Sequence, residues 1–121
     1  METHAIILLA HGSRDPQWRS SIEAVAARAR ALSPGLLVDC AYMELCAPSL
    51  AQCAEALIRQ GAHSINIVPM FLGMGMHTRQ DLPRLAGELQ GSQPQTRITL
   101  APVIGEVPDM IDLMARVATR D

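Results

Sequence analysis

Lysine does not occur in this 121-residue sequence; all ten basic residues are arginines. That absence removes lysine Schiff-base chemistry and leaves guanidinium groups, whose planar forks suit two-point recognition of carboxylates. Aromatic side chains are almost as scarce, with Trp18, Tyr42 and Phe71 the only three. So few rings, with a formal net charge of −2, provide neither the stacking platform nor the basic stripe of a nucleic-acid binder. No apolar run approaches the ~18–20 residues needed to cross a bilayer, and Met1–His4 lacks the basic opening of a secretory signal. A cytoplasmic protein without a membrane partner is expected. Cys40, Cys46 and Cys53 are odd in number and lack CxxC spacing, which argues against a disulfide framework or a zinc knuckle. Reduced, mostly buried thiols are expected instead.

Hydrophobic residues make up 49% of the chain and are spread along it in short runs, as in a globular protein. The length fits one domain over residues 1–121. Ala5–Ala10 is apolar without alternation, the pattern of a strand buried on both faces of a parallel sheet. Ile22, Val25, Ala26, Ala29 and Leu32 recur at helical spacing until Ser33-Pro34-Gly35 stops them. Leu36–Met43 reads as a second strand, and Leu50, Cys53, Ala54, Leu57 and Ile58 as a second helix closed by Gly61. A third strand over Ser64–Val68 leads into a loop, Pro69–His77. Leu82, Leu85, Ala86 and Leu89 mark a third helix ending at Gly91, with Pro83 obscuring its start. A fourth strand, Thr96–Ala101, and a helix over Pro108–Ala118 complete a βαβαβαβα order. The fold class expected is α/β: a small doubly wound, flavodoxin-like, parallel four-stranded sheet in the order 2-1-3-4 with helices on both faces.

In that topology ligands bind outside the carboxyl ends of strands 1 and 3, where His11 follows the first strand and His77 closes the loop after the third. Neighbouring strands lie about 4.8 Å apart, so both imidazoles can converge on one divalent ion. Glu44, just past strand 2, is the candidate carboxylate, and two imidazoles with one carboxylate leave positions open for ligand exchange. His4 and His63 precede strands 1 and 3, at the wrong end of the sheet, and read as ordinary surface or capping residues. Met70, Met74 and Met76 read as an adaptable apolar wall. Gly73 and Gly75 suggest positive backbone dihedrals, a mobile loop or a tight turn.

Leu9-Ala-His-Gly-Ser-Arg14, Glu44-Leu-Cys-Ala-Pro-Ser49 and the long run Val68–Pro83, with its apolar stretch, glycines, His and Asp-Leu-Pro ending, resemble the signatures of the sirohydrochlorin chelatase family. The likeness is to its short, single-domain, CbiX-type form and spans essentially the whole chain. It implies a metal chelatase, a lyase of cobalamin or siroheme biosynthesis that inserts Co2+ or Fe2+ into sirohydrochlorin, with cobalt favoured and Ni2+ a further candidate. No organic cofactor is expected. Carried over by residue, the family's metal-binding and catalytic histidines fall on His11 and His77, and an acidic position on Glu44. Arg14, Arg79 and Arg84 lie beside the motifs as candidate partners for the substrate's carboxylates, and Met74 and Met76 as candidate contacts with its ring. A histidine phosphatase also places His-Gly after its first strand but needs Arg before the His, where Ala10 stands. The same ligands without turnover would make a metal carrier or tetrapyrrole-binding protein. A half-size chelatase offers one wall to a flat macrocycle, so a homodimer with a shared cleft is expected.

Overall fold

The computed structural model describes residues 2–120. β1 (Thr3–Ala10) is flanked by β2 (Leu37–Tyr42) and β3 (Ala62–Pro69), and β4 (Arg97–Leu100) pairs with β3. All pairings are parallel, in the order β2-β1-β3-β4. The unalternated apolar run of β1 follows from this central place: Ile7 and Leu9 enter one core, Leu8 and Ala10 the other. Leu8 lies opposite Cys40 of β2 and Val68 of β3, which sets the register across the middle of the sheet.

On one face, α2 (Leu50–Arg59) and α3 (Met76–Ser92) pack Leu50, Leu57, Leu82 and Leu89 against Ile7, Leu9, Ile65 and Ile67. Burying each such aliphatic side chain stabilises by about 1.5–3 kcal/mol. α2 starts at a capping box: Ser49 Oγ accepts from the Gln52 N–H at 3.2 Å, and Gln52 Oε1 accepts from the Ser49 N–H at 2.9 Å. Gly61 supplies the left-handed residue after α2, with φ 102°. On the other face, α1 (Ser20–Leu32) packs Ile22 and Ala26 against Leu8, Ala10, Val38 and Tyr42. A 3-10 turn over Pro16–Arg19 leads into α1.

Two expectations need correction. α3 starts at Met76, so His77 belongs to a helix rather than closing the loop, and Pro83, which obscures that start in the sequence, lies in the helix's interior. Met76–Asp81 carries no apolar stripe, and helical periodicity therefore begins only at Leu82. Gly73 and Gly75 also lack positive φ; Gly75 is the extended N-cap of α3, at φ −77° and ψ 179°.

α4 (Pro108–Ala118) forms as its pattern predicts but has no buried residue, and its main contact is the 3-10 turn Ile104–Glu106. α1 packs chiefly over β1 and β2, with Val68 of β3 and Met70 at the edge of the same core. Among the described residues, no helix is long and apolar enough to cross a membrane.

Candidate metal centre

The site is built at the carboxyl ends of β1, β2 and β3 by backbone contacts. The Met43 N–H donates to the Ala10 carbonyl and the Glu44 N–H to the His11 carbonyl, each at 2.9 Å. These bonds join the segments that leave β1 and β2. Gly12 lies between them at φ 111°, and a Cβ there would come within 1.8 Å of the Glu44 carbonyl oxygen. Only glycine meets both demands. The close approach keeps His11 and Glu44 backbone neighbours although they stand 33 positions apart in sequence.

The segment after β3 is held just as closely. The Met70 N–H donates to the Leu9 carbonyl at 2.8 Å, and the Phe71 ring lies 4.3 Å from the His11 ring, tilted by 33°. From the opposite side the Gly105 N–H donates to the Phe71 carbonyl at 2.9 Å, and a Cβ on Gly105 would come within 2.1 Å of the Leu72 oxygen. Phe71 is buried, so it forms a fixed wall for an imidazole that itself remains exposed.

His77 is the second residue of α3 and is exposed, as is Glu44. Among the described residues, no three His, Cys, Asp or Glu side chains stand close enough together to hold one ion. The chain thus presents His11, Glu44 and His77 around one end of the sheet as separate exposed donors. His4 and His63 lie at the other end, as expected: the Thr3 N–H donates to His63 Nδ1 at 3.1 Å, and His4 Nδ1 is bonded to Ser64 Oγ.

The methionines do not make one wall. Met70 packs with the α1 core and Met74 with the α2 core, on opposite faces of the sheet, while Met76 is 74% exposed. Among the arginines, Arg84 is held by Glu88 at 2.9 Å and Asp81 at 3.3 Å. Arg14 and Arg79 are exposed and make no ion pair among the described residues.

The perturbed protonation equilibria lie away from this end. Burial pushes the Cys53 thiol and the Tyr42 hydroxyl each up to about 12, and also raises Cys40. These thiols stay protonated and are poor metal ligands. A hollow of about 510 Å³ runs along the β2 edge past Arg19, Arg30, Asp39 and Gln52, and no candidate ligand borders it. The features missed in the sequence are Gly12, Gly105 and Phe71. A lone aromatic soon after β3 was the available signal for the last.

The CbiX family model matches residues 5–120. The sirohydrochlorin cobaltochelatase of Methanopyrus kandleri is 34% identical over 83 residues, 69% of this chain and 58% of that protein. The Methanocaldococcus jannaschii enzyme of the same name is 35% identical over 86 residues, 71% of this chain and 60% of that protein. The chain thus matches about three-fifths of the length of these relatives. With the Sulfolobus acidocaldarius sirohydrochlorin cobaltochelatase, identity is 26% over 95% of this chain and 89% of that protein. A crystal structure of a cobalamin (vitamin B12) biosynthesis CbiX protein from Marinobacter aquaeolei VT8 superposes with a TM-score of 0.81, at 36% identity over 95% of this chain and 93% of that one. SirB from Bacillus subtilis with Fe3+ shares the fold, with a TM-score of 0.78 at 24% identity, over 94% of this chain but 45% of its own.

Proposed function

Since the chain belongs to the CbiX family, we propose that it is a sirohydrochlorin chelatase that inserts a divalent metal, Co2+ before Fe2+ or Ni2+, into the free-base macrocycle. The observation that carries this reading is the meeting of His11 with Phe71, which brings the end of β1 against the segment leading from β3 to His77. Ligands of doubly wound sheets bind at that crevice.

In the proposed reaction, side-chain movement from their separate positions brings His11 and His77 onto the ion as neutral imidazoles, with Glu44 as the third donor. The macrocycle's pyrrole nitrogens replace these ligands one at a time. Four metal–nitrogen bonds form in all, two of them at nitrogens whose N–H bonds break, and the two protons leave through imidazole or carboxylate to water. Metal and macrocycle are both substrates, so the reaction needs no organic cofactor. Separate, exposed donors suit an ion that must be released, whereas a closed structural site would retain it. Arg14 and Arg79 receive substrate carboxylates; Arg84 would first have to leave Asp81 and Glu88. Met74 and Met76 take the apolar edge of the ring.

The whole chain acts as one chelatase-like domain, in the cytoplasm, and the working unit is a homodimer whose copies face each other across the macrocycle. The lengths support this, because SirB carries about as much chain again beyond the 45% matched here.

Anaerobic steady-state insertion into sirohydrochlorin with Co2+, Fe2+ and Ni2+ tests the assignment. Turnover fastest with Co2+ is expected. A strong preference for Fe2+ would overturn the metal order, and no insertion with any of the three would overturn the activity.

A further inference from the structure

Among the described residues, Leu45 alone of the non-glycines has a left-handed backbone, at φ 68°. The Cys46 N–H donates back to the Glu44 carbonyl at 2.9 Å, so the chain turns on Leu45 in the rare, strained form of the three-residue γ-turn. A bulky side chain adopts this backbone only where the surrounding structure imposes it. Here the site imposes it: the carbonyl that closes the turn is the oxygen that Gly12 abuts, and the Glu44 N–H is bonded to the His11 carbonyl. The side chain that bears the strain is not spent on the core, because Leu45 is 52% exposed. Glycine would meet the same backbone without strain. The leucine side chain therefore has its use outside the chain's own packing.

A second exposed leucine stands across the same end of the sheet. Leu72 follows Phe71, is 74% exposed, and has its backbone held by the close approach of Gly105. Farther along that segment Met74 packs against the α2 core, while Met76 beside His77 stays in solvent. Strand order sets the spacing. Leu45 follows β2 and Leu72 follows β3, the two neighbours of β1, and β1 leads into His11. The leucines thus leave the sheet on either side of His11, two strand spacings or about 10 Å apart. Each exposed apolar residue is next in sequence to a candidate donor or to the ring against one: Leu45 to Glu44, Leu72 to Phe71 and Met76 to His77.

That interleaving fits one kind of ligand. A bare ion needs donors and gains nothing from exposed leucines, whereas a macrocycle that takes the ion must bring a flat apolar face over the same donors. Aliphatic side chains buried under that face stabilise the complex in proportion to the apolar area removed from water. We propose that Leu45 and Leu72 seat the macrocycle, touching its apolar face on either side of His11 so that its nitrogens come to rest over the bound ion. The proposal rests on the chelatase reading above and adds the two residues that hold the ring. Because the leucines touch the ring and not the ion, they set affinity for the tetrapyrrole and leave the choice of metal to the donors.

Binding of free-base sirohydrochlorin without metal, followed by the fluorescence of the tetrapyrrole, tests this in the full chain. Co2+ affinity and steady-state insertion are measured on the same proteins. Leu45→Ala/Leu72→Ala should weaken ring binding by at least about 10-fold, with Co2+ affinity and the order of metals unchanged. Leu45→Met/Leu72→Met, which keeps the apolar area, should stay within about 3-fold of the unmodified chain. Leu45→Gly should weaken ring binding while its urea midpoint stays at or above that of the unmodified chain, because glycine adopts φ 68° without strain. A folded alanine double variant that binds the ring normally would overturn the seat and leave the chelatase reading intact. Ring binding restored simply by raising the protein concentration would also overturn it, by showing that the leucines join copies of the chain. So would a sharp fall in the Leu45→Gly midpoint, since the side chain would then serve the chain's own packing. An unmodified chain that neither binds nor metallates sirohydrochlorin would sink both readings.

Discussion

At the scale of the residue, the site depends on a glycine as much as on its histidines. Gly12 combines a φ of 111° with a position where any Cβ would meet the Glu44 carbonyl at 1.8 Å. Gly12→Ala should therefore destabilise the fold by about 2 kcal/mol or more, the combined effect of left-handed strain and a displaced backbone. Urea unfolding followed by circular dichroism measures it, and an unchanged midpoint would contradict the close packing of the two segments. The placement of His11 and His77 after β1 and β3 was legible because the parallel topology marks out those positions. Gly12 was not, since single glycines carry no sign of what lies opposite them in space. Gly73 and Gly75 show the converse, because neither has the left-handed backbone their clustering suggested. Arg84 shows that a charge beside a motif can be taken up by its own helix, here by Asp81 and Glu88 at i−3 and i+4.

At the scale of the element, an unalternated apolar run identified β1, and Gly61 marked the end of α2. The start of α3 escaped because its first turn, Met76-His77-Thr78-Arg79, contains no residue that enters the core. Where a helix opens to solvent, apolar periodicity has nothing to register, and the candidate ligand His77 lies in that turn. The β2 edge and α2 together make a pH-dependent contribution. Tyr42 and Cys53 are neutral below pH 9 both folded and unfolded, because their ordinary values are 10.0 and 9.0 and burial raises both to about 12. As pH rises from 9 towards 12 the unfolded chain loses these protons first, so stability is full below pH 9 and falls across that window. Urea midpoints should decline steadily over this range, and Cys53→Ala should reduce the part that begins near pH 9, to which the half-buried Cys40 thiol also contributes. A flat profile through pH 11 would contradict the buried, protonated state of both groups.

At the scale of the whole molecule, chain order and crossover handedness predict a parallel sheet without fixing its strand order; the commonest small doubly wound arrangement supplied that order, and the β2-β1-β3-β4 sheet agrees with it. What the sequence could not convey is that α4 leaves the body of the fold. Its pattern is that of any amphipathic helix, and a pattern specifies an apolar side without specifying what covers it. The account's central claim is that His11 and His77, carried on different segments at one end of the sheet, together deliver the metal to the macrocycle. The most direct measurement is the anaerobic rate of Co2+ insertion into sirohydrochlorin by the unmodified chain, His11→Ala and His77→Ala, each confirmed folded by circular dichroism. Removing two exposed side chains should leave the fold intact, so each variant should lose at least about 100-fold in kcat with little change in stability. A folded single variant that keeps near-normal kcat with Co2+ would contradict the claim for that histidine.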